Sequence, residues 1–188
     1  VPEHLTARAI LTPRKKGVLS GVNVAAEVFR KVDPGLKVEV YLHDGEAVAP
    51  GAVVMLIEGS ARSILGAERT ALNFIQRLSG VASLTRKYVK AVSHTSARIL
   101  DTRKTTPGYR LLEKAAVAHG GGTNHRMGLY DRAMVKDNHL MTDGNTEHLQ
   151  KCINTLRAEK PGVEIQLEAD TLEQVESFLK LEGVDHIL

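Results

Sequence analysis

From Arg98 to Leu188 the chain alternates between short β-rich runs and helix-length amphipathic segments, and this rhythm restricts the fold more than any other feature. Strand signals fall at Arg98–Leu100, Ala133–Val135, Glu164–Leu167 and Val184–Leu188, and helical spacing falls at Arg110–His119, Thr146–Ala158 and Thr171–Leu181. Strands joined by connections of helix length run parallel, because only antiparallel neighbours can be joined by a tight turn. The expected order is therefore βαβαβαβ, an open sheet or part of a barrel.

Before Arg98 the pattern differs. Gly21–Val32 sets Val24, Ala25, Val28, Phe29 and Val32 along one helical face ahead of Pro34-Gly35. Lys37–Leu42 alternates apolar and polar residues, and Ala52–Glu58 is a continuous β-rich run; turn residues His43-Asp44-Gly45 and Pro50-Gly51 separate the two. Ser60–Leu78 returns to helical spacing with Ser60 as N-cap; Gly80 is expected to interrupt it, and a second helix to continue to about Val92. Helix, strands, helix is the order of a small α/β layer rather than of a repeat. At 188 residues the chain suffices for one larger domain or two small ones. It opens at Val1 and closes on the apolar run Val184–Leu188, so a truncation at both ends is expected.

Polar groups follow three of the strands in the second half: Asp101-Thr102-Arg103-Lys104, then Lys136-Asp137-Asn138-His139, then Glu168. In parallel α/β folds ligands bind at that end of the sheet, so these charges are expected to converge. Between Arg98 and Leu140 eight Lys/Arg face four Asp/Glu, a local excess of four where the whole chain carries only +3. Arg103, Lys104, Arg110, Arg126, Arg132 and Lys136 thus stand among glycines and apolar runs as cations of an anion pocket. Arg offers a planar fork for carboxylate or phosphate, and Lys a compact point charge.

Gly120-Gly121-Gly122 before Thr123-Asn124-His125-Arg126 admits two readings, a helix C-cap with connector or a backbone that approaches a ligand closely. No Gly-Lys-Ser/Thr follows it, and no G-x-G-x-x-G occurs. Lys136, directly after Ala133-Met134-Val135, is placed to project into the pocket; Glu168, after Ile165-Gln166-Leu167, could bind a ribose hydroxyl, help hold Mg²⁺ or steady a developing positive centre. Arg69, beside Glu68 and four residues before Asn73, reads by spacing as an exposed helical arginine. His119, His139 and Cys152 form no metal-ligand pattern, and no Ser-His-Asp or Cys-His grouping is legible.

Glu68-Arg69-Thr70-Ala71-Leu72-Asn73, Ser79-Gly80-Val81-Ala82, DTRKTTPGYR from Asp101, NHRMGLYD from Asn124 and VKDNH from Val135 together resemble the quinolinate phosphoribosyltransferases, also called nicotinate-nucleotide pyrophosphorylases (carboxylating). The resemblance runs through essentially the whole chain. It implies an α/β sandwich over residues 1–79 followed by an incomplete parallel, TIM-like α/β barrel over 80–188, in a homodimer or dimer-based oligomer. It also implies transfer of a phosphoribosyl group from 5-phosphoribosyl 1-diphosphate to quinolinate, with Mg²⁺, giving nicotinate mononucleotide, diphosphate and CO₂ in NAD biosynthesis. By this resemblance Arg103, His125, Arg126 and Lys136 correspond to residues that hold the quinolinate carboxylates, and Thr102 and Lys104 to the same binding loop. Arg69 corresponds to an arginine reaching into the neighbouring subunit's site, and Glu168 to a carboxylate near the ribose; Lys136 and Glu168 are the expected catalytic pair. Relatives continue past the equivalent of Leu188 with a strand-end aspartate and glycine-rich loops for the ribose phosphate, and carry a segment before the equivalent of Val1.

The rival readings are a related phosphoribosyltransferase acting on another anionic ring acid without decarboxylation, an inactive fragment of the family, and a nucleic-acid binder. Low aromatic content and the absence of Trp argue against the last, since single-stranded nucleic acids are bound on stacking platforms. A single cysteine, Cys152, leaves no internal disulfide and suits a reducing compartment; with no apolar run longer than Ala52–Ile57 and no leader pattern, the reading is a cytoplasmic protein without a membrane partner.

Overall fold

The computed structural model describes residues 1–136 and 146–188. They divide into two compact units, Val1–His125 and Arg126–Leu188.

The first unit is built on a three-stranded antiparallel sheet of β1 (Thr6–Leu11), β3 (Lys37–Val40) and β5 (Met55–Ser60) in the order β1-β5-β3. The register runs from Thr6 opposite Ser60 to Leu11 opposite Met55, and from Lys37 opposite Glu58 to Val40 opposite Met55. Central β5 buries Met55, Leu56 and Ile57 consecutively, which is why its sequence shows no alternation. Helices α1 (Val22–Val32) and α2 (Ala61–Ala91) complete the layer. Val22, Ala25, Ala26 and Phe29 of α1 meet Ile64, Ala67, Ala71 and Ile75 of α2 in one core with Val54, Met55 and Ile57. Asp44 accepts a hydrogen bond from the Val22 amide at 2.8 Å, so a loop distant in sequence satisfies one of α1's free N-terminal donors.

Two expectations fail in this unit. A helix does not come first: β1 and the two-residue β2 (Gly17–Val18) precede it, and β2 pairs with β4 (Ala47–Val48). β1 turns Ala9 and Leu11 toward the core but sets an exposed Ile10 between them, which masks the alternation, and it is held both by that packing and by its ladder to β5. Nor does Gly80 break the helix. Ser60 caps it by accepting from the Ser63 amide, and α2 then runs 31 residues through Gly80. The flanking turn is pinned by Ser79, which accepts from the Ser20 amide at 3.0 Å, and Ser83, which accepts from the Val18 amide at 2.8 Å. Tertiary anchoring outweighs the ~1 kcal/mol that glycine costs a helix interior.

Helix α3 (Arg110–His119) packs on the C-terminal half of α2. A Cβ on Gly120 would lie 2.5 Å from the Ala82 carbonyl oxygen, and one on Gly122 would lie 2.9 Å from the Thr85 methyl. The glycine run is therefore used for close helix approach. Arg86 of α2 reinforces it by donating from Nε to the Gly120 carbonyl at 2.8 Å and from Nη2 to the His119 carbonyl at 3.2 Å, placing a cation at the negative end of α3.

The second unit is a parallel sheet in the order β6 (Arg132–Val135), β7 (Glu164–Leu167), β8 (His186–Ile187), with Val135 opposite Leu167 and Leu167 opposite Ile187. Helices α4 (Thr146–Glu159) and α5 (Leu172–Phe178) separate the strands in sequence; Ile153 and Phe178 pack with Ile165 and Leu167 in its core. Thr171 and Gln174 form a reciprocal capping box at the start of α5. Asp185 accepts from the Ile165 amide at 2.6 Å and pairs with Arg157 at 2.5 Å. The amide hydrogen bond and the guanidinium together hold its carboxyl below the usual range, against a smaller opposing effect of burial.

The parallel alternation is thus present, with differences in extent. The expected strand Arg98–Leu100 reduces to one parallel bridge, Leu100 to Thr123, because the segment finds a single residue after α3 as partner. α5 stops at Phe178 instead of reaching Leu181, where Lys180 and Leu181 close three-residue turns, and the last strand is confined to His186–Ile187. Among the described residues no helix is long and apolar enough to cross a membrane.

Candidate functional site

In the first unit the bridge at Leu100 sets two polar loops side by side. Thr123 donates to the Ile99 carbonyl at 2.8 Å and accepts from the Asp101 amide at 3.2 Å, so Asp101-Thr102-Arg103-Lys104 leaves the ladder next to Asn124-His125. The Thr102 hydroxyl accepts from the Lys104 amide at 3.1 Å and tightens the turn, leaving the Lys104 side chain exposed. The Arg103 Nε is a buried side-chain polar atom with no hydrogen-bond partner among the described residues. An unmatched buried guanidinium nitrogen is costly, and an anion would satisfy it.

Two helices hold this loop. Arg110 of α3 donates from Nη2 to the Arg103 carbonyl at 3.3 Å. Glu113, one turn on, accepts from the Thr106 amide at 3.2 Å and its hydroxyl at 2.9 Å, and pairs with Arg77 of α2 at 2.6 Å. Burial alone would push the Glu113 carboxyl up; the Arg77 guanidinium and the Thr106 donors outweigh it and hold the group below the usual carboxylate range. Tyr109, at the start of α3, stacks on Phe74 of α2 with ring centroids 5.8 Å apart.

Beneath the loop lies Lys114, only 1% exposed, one of the eight cations between Arg98 and Leu140. It pairs with Asp101 and donates to the His125 carbonyl at 3.0 Å, while Asp101 accepts from the His125 amide at 2.8 Å. With its amide nitrogen turned toward these acceptors, Asn124 donates to the Lys114 carbonyl at 2.9 Å and to the second Asp101 oxygen at 2.7 Å. The available signal was a lysine in an otherwise Ala-rich helix with an aspartate at the preceding strand end, since a lysine is almost never buried unless paired.

In the second unit Lys136 and Glu168 follow adjacent parallel strands, and their register makes them neighbours. Lys136 Nζ donates to both Glu168 oxygens at 2.8 Å, with the two side chains 43% and 29% exposed. The Arg126 guanidinium lies against the Arg132 carbonyl at 3.5 Å. Asp131 closes the intervening loop by accepting from the Met127 amide at 2.5 Å and the Gly128 amide at 3.0 Å. Asp137, Asn138 and His139 lie outside the described residues.

Two expected cations of the pocket have structural partners instead. Arg132 enters β6 opposite Glu164, at the far end of the strand from Lys136, pairs with that carboxylate and donates to the Gln166 side chain at 3.2 Å. Arg110 holds the Arg103 backbone, as above.

Two family models match the chain: the N-terminal domain of quinolinate phosphoribosyl transferase over residues 1–79 and its C-terminal domain over residues 81–188. The chain belongs to this family. It is 41% identical over 181 residues to the chloroplastic nicotinate-nucleotide pyrophosphorylase [carboxylating] of Oryza sativa subsp. japonica, covering 96% of this chain and 48% of the relative. A probable nicotinate-nucleotide pyrophosphorylase [carboxylating] of a Synechocystis strain is 43% identical over 88% of this chain and 56% of its own. The solved structure of the nicotinate-nucleotide pyrophosphorylase from Francisella tularensis aligns with a TM-score of 0.89 at 34% identity, over 99% of this chain and 64% of that one. The chain spans about half the length of the curated plant relatives it matches.

Seen as a member of this family, the chain brings Thr102, Arg103, Lys104 and His125 together within the first unit, and Lys136 with Glu168 within the second. Arg69 stands apart from the first group. It is exposed on α2 and lines a cavity of about 1170 Å³ with Arg14, Lys15, Lys16, Glu68 and Leu72, to which neither Arg103 nor His125 contributes.

Proposed function

We propose that this chain serves the decarboxylating phosphoribosyl transfer of its family: quinolinate and 5-phosphoribosyl 1-diphosphate give nicotinate mononucleotide, diphosphate and CO₂, a pentosyl transfer in NAD biosynthesis. The observation that carries the proposal is the buried, unmatched Arg103 Nε in a cationic loop of a chain that both family models match. In this reading Arg103, His125, Arg126 and Lys136 take the two carboxylates, Thr102 and Lys104 shape and charge the same loop, and Glu168 lies near the ribose. Lys136 and Glu168 are paired with each other, so an incoming carboxylate must compete with Glu168 for the ammonium. The freed Glu168 carboxylate then stabilises positive charge developing at the anomeric carbon as diphosphate leaves. The pyridine nitrogen bonds to that carbon as diphosphate departs; the now cationic ring stabilises the carbanion left by CO₂, which takes a proton from water, so the residues mainly position the substrate.

Among the described residues no three His, Cys, Asp or Glu side chains cluster as a metal-ligand set. Mg²⁺ enters this reading with the substrate, on the diphosphate oxygens and water. The spans of the two family models support functional domains at 1–79 and 80–188, the second part of a TIM-like barrel whose described portion is the sheet β6-β7-β8. A homodimer in which Arg69 serves the partner's site fits its exposure on the cavity wall. The exposed thiol of Cys152 fits a cytoplasmic setting.

The test is incubation with both substrates and Mg²⁺, with quinolinate labelled at the carboxyl lost as CO₂. Labelled CO₂ and nicotinate mononucleotide in equal amounts are expected. A ribosylated acid that keeps its label would assign the chain to a non-decarboxylating relative's chemistry.

A further inference from the structure

We infer that Lys114 and Asp101 are a positioning pair that clamps the backbone of His125, fixing the segment that presents His125 and, next in the chain, Arg126. Only the identity of the ligand rests on the function proposed above. Both backbone groups of His125 are gripped, its carbonyl by Lys114 Nζ at 3.0 Å and its amide by Asp101 Oδ1 at 2.8 Å, so the peptide groups on either side of the residue are held. The two grips are coupled because Lys114 and Asp101 are themselves an ion pair, with side chains 1% and 6% exposed. Asn124 adds a third strut from the neighbouring residue to Asp101 Oδ2.

The arrangement uses more than charge balance requires. A buried ion pair adds little net stability over well-packed apolar groups of similar size, so its remaining hydrogen-bonding capacity identifies its use. That capacity is directed to the backbone of His125 and the side chain of its neighbour Asn124, in the loop beside Arg103 and Lys104. Lys114 projects from α3, which Gly120 and Gly122 lock against α2. The clamp therefore refers the recognition loop to the rigid helical layer, as a recognition site on a loop requires.

Two double variants separate positioning from charge balance. Lys114→Met/Asp101→Leu removes charges and clamp together; Lys114→Gln/Asp101→Asn removes the charges but keeps a donor for the carbonyl and an acceptor for the amide. Quinolinate affinity by calorimetry is expected to fall on the order of 10- to 100-fold in the apolar pair, and to stay within about threefold of wild type in the amide pair. A folded apolar pair that binds as wild type would overturn the inference. Hydrogen exchange of the His125 amide reads the clamp without any ligand or variant: it is expected to exchange only when the unit opens, and exchange at the rate of the exposed Ser93 turn would also overturn it. Failure of the wild-type chain to bind quinolinate would instead count against the proposed function, while the exchange result stands by itself.

Discussion

At the residue scale, several acids of this chain hold backbone. Asp44 caps α1, Asp131 gathers the Met127 and Gly128 amides, Asp185 holds Ile165, and Glu113 holds Thr106. Glu113 and Asp185 both titrate below their ordinary values of 4.5 and 3.8 in the folded chain. A depressed folded pKa means the unfolded chain takes up protons first on acidification. The associated stability is complete above about 4.5 and is lost as the pH falls through the folded values. Urea midpoints measured from pH 6 down to pH 3 are therefore expected to decline below about 4.5, and the decline should be shallower in Glu113→Gln. An unchanged acid limb in that variant would show that Glu113 contributes nothing to it.

At the scale of elements, glycine placement separates what the sequence discloses from what it conceals. Gly80 sits where an added Cβ meets nothing within 4 Å, and α2 continues through it; Gly120 has ordinary helical dihedrals but no room for a side chain. Gly120→Ala is thus expected to force α3 away from α2 and to cost about 1–3 kcal/mol, read from urea denaturation. Wild-type stability in that variant would contradict the close approach. Local pattern cannot distinguish two such glycines, because the difference lies in a partner about forty residues earlier. For the same reason α1, α3, α4 and the apolar strands β5 and β7 were legible from spacing, whereas β1 was not. Its inward residues Ala9 and Leu11 are small or partly exposed and Ile10 faces outward between them, so the period is masked in sequence and the pairing with β5 completes the strand. The loop cations were legible by type and place. Their roles were not: Arg132 and Arg110 look like Arg103 in sequence, and only their partners, Glu164 and the Arg103 carbonyl, mark them as structural. The burial of Lys114 was not legible, because a lysine in a short helix ordinarily faces water.

At the scale of the whole molecule, the net charge of +3 says little, since the eight cations between Arg98 and Leu140 are divided by function. One is buried beneath the loop, two are tied to structure, and Arg103 retains a buried nitrogen without an acceptor among the described residues. A surface that binds nucleic acid would keep its cations exposed and interchangeable, and its affinity would fall steeply with salt. The proposed recognition of a dicarboxylate by the Arg103 loop is to be tested by calorimetric titration of quinolinate into the wild-type chain and into Arg103→Ala at moderate salt. Saturable binding that is lost in the variant is the predicted result; equal binding by both, or none by a folded wild-type chain, would contradict the account.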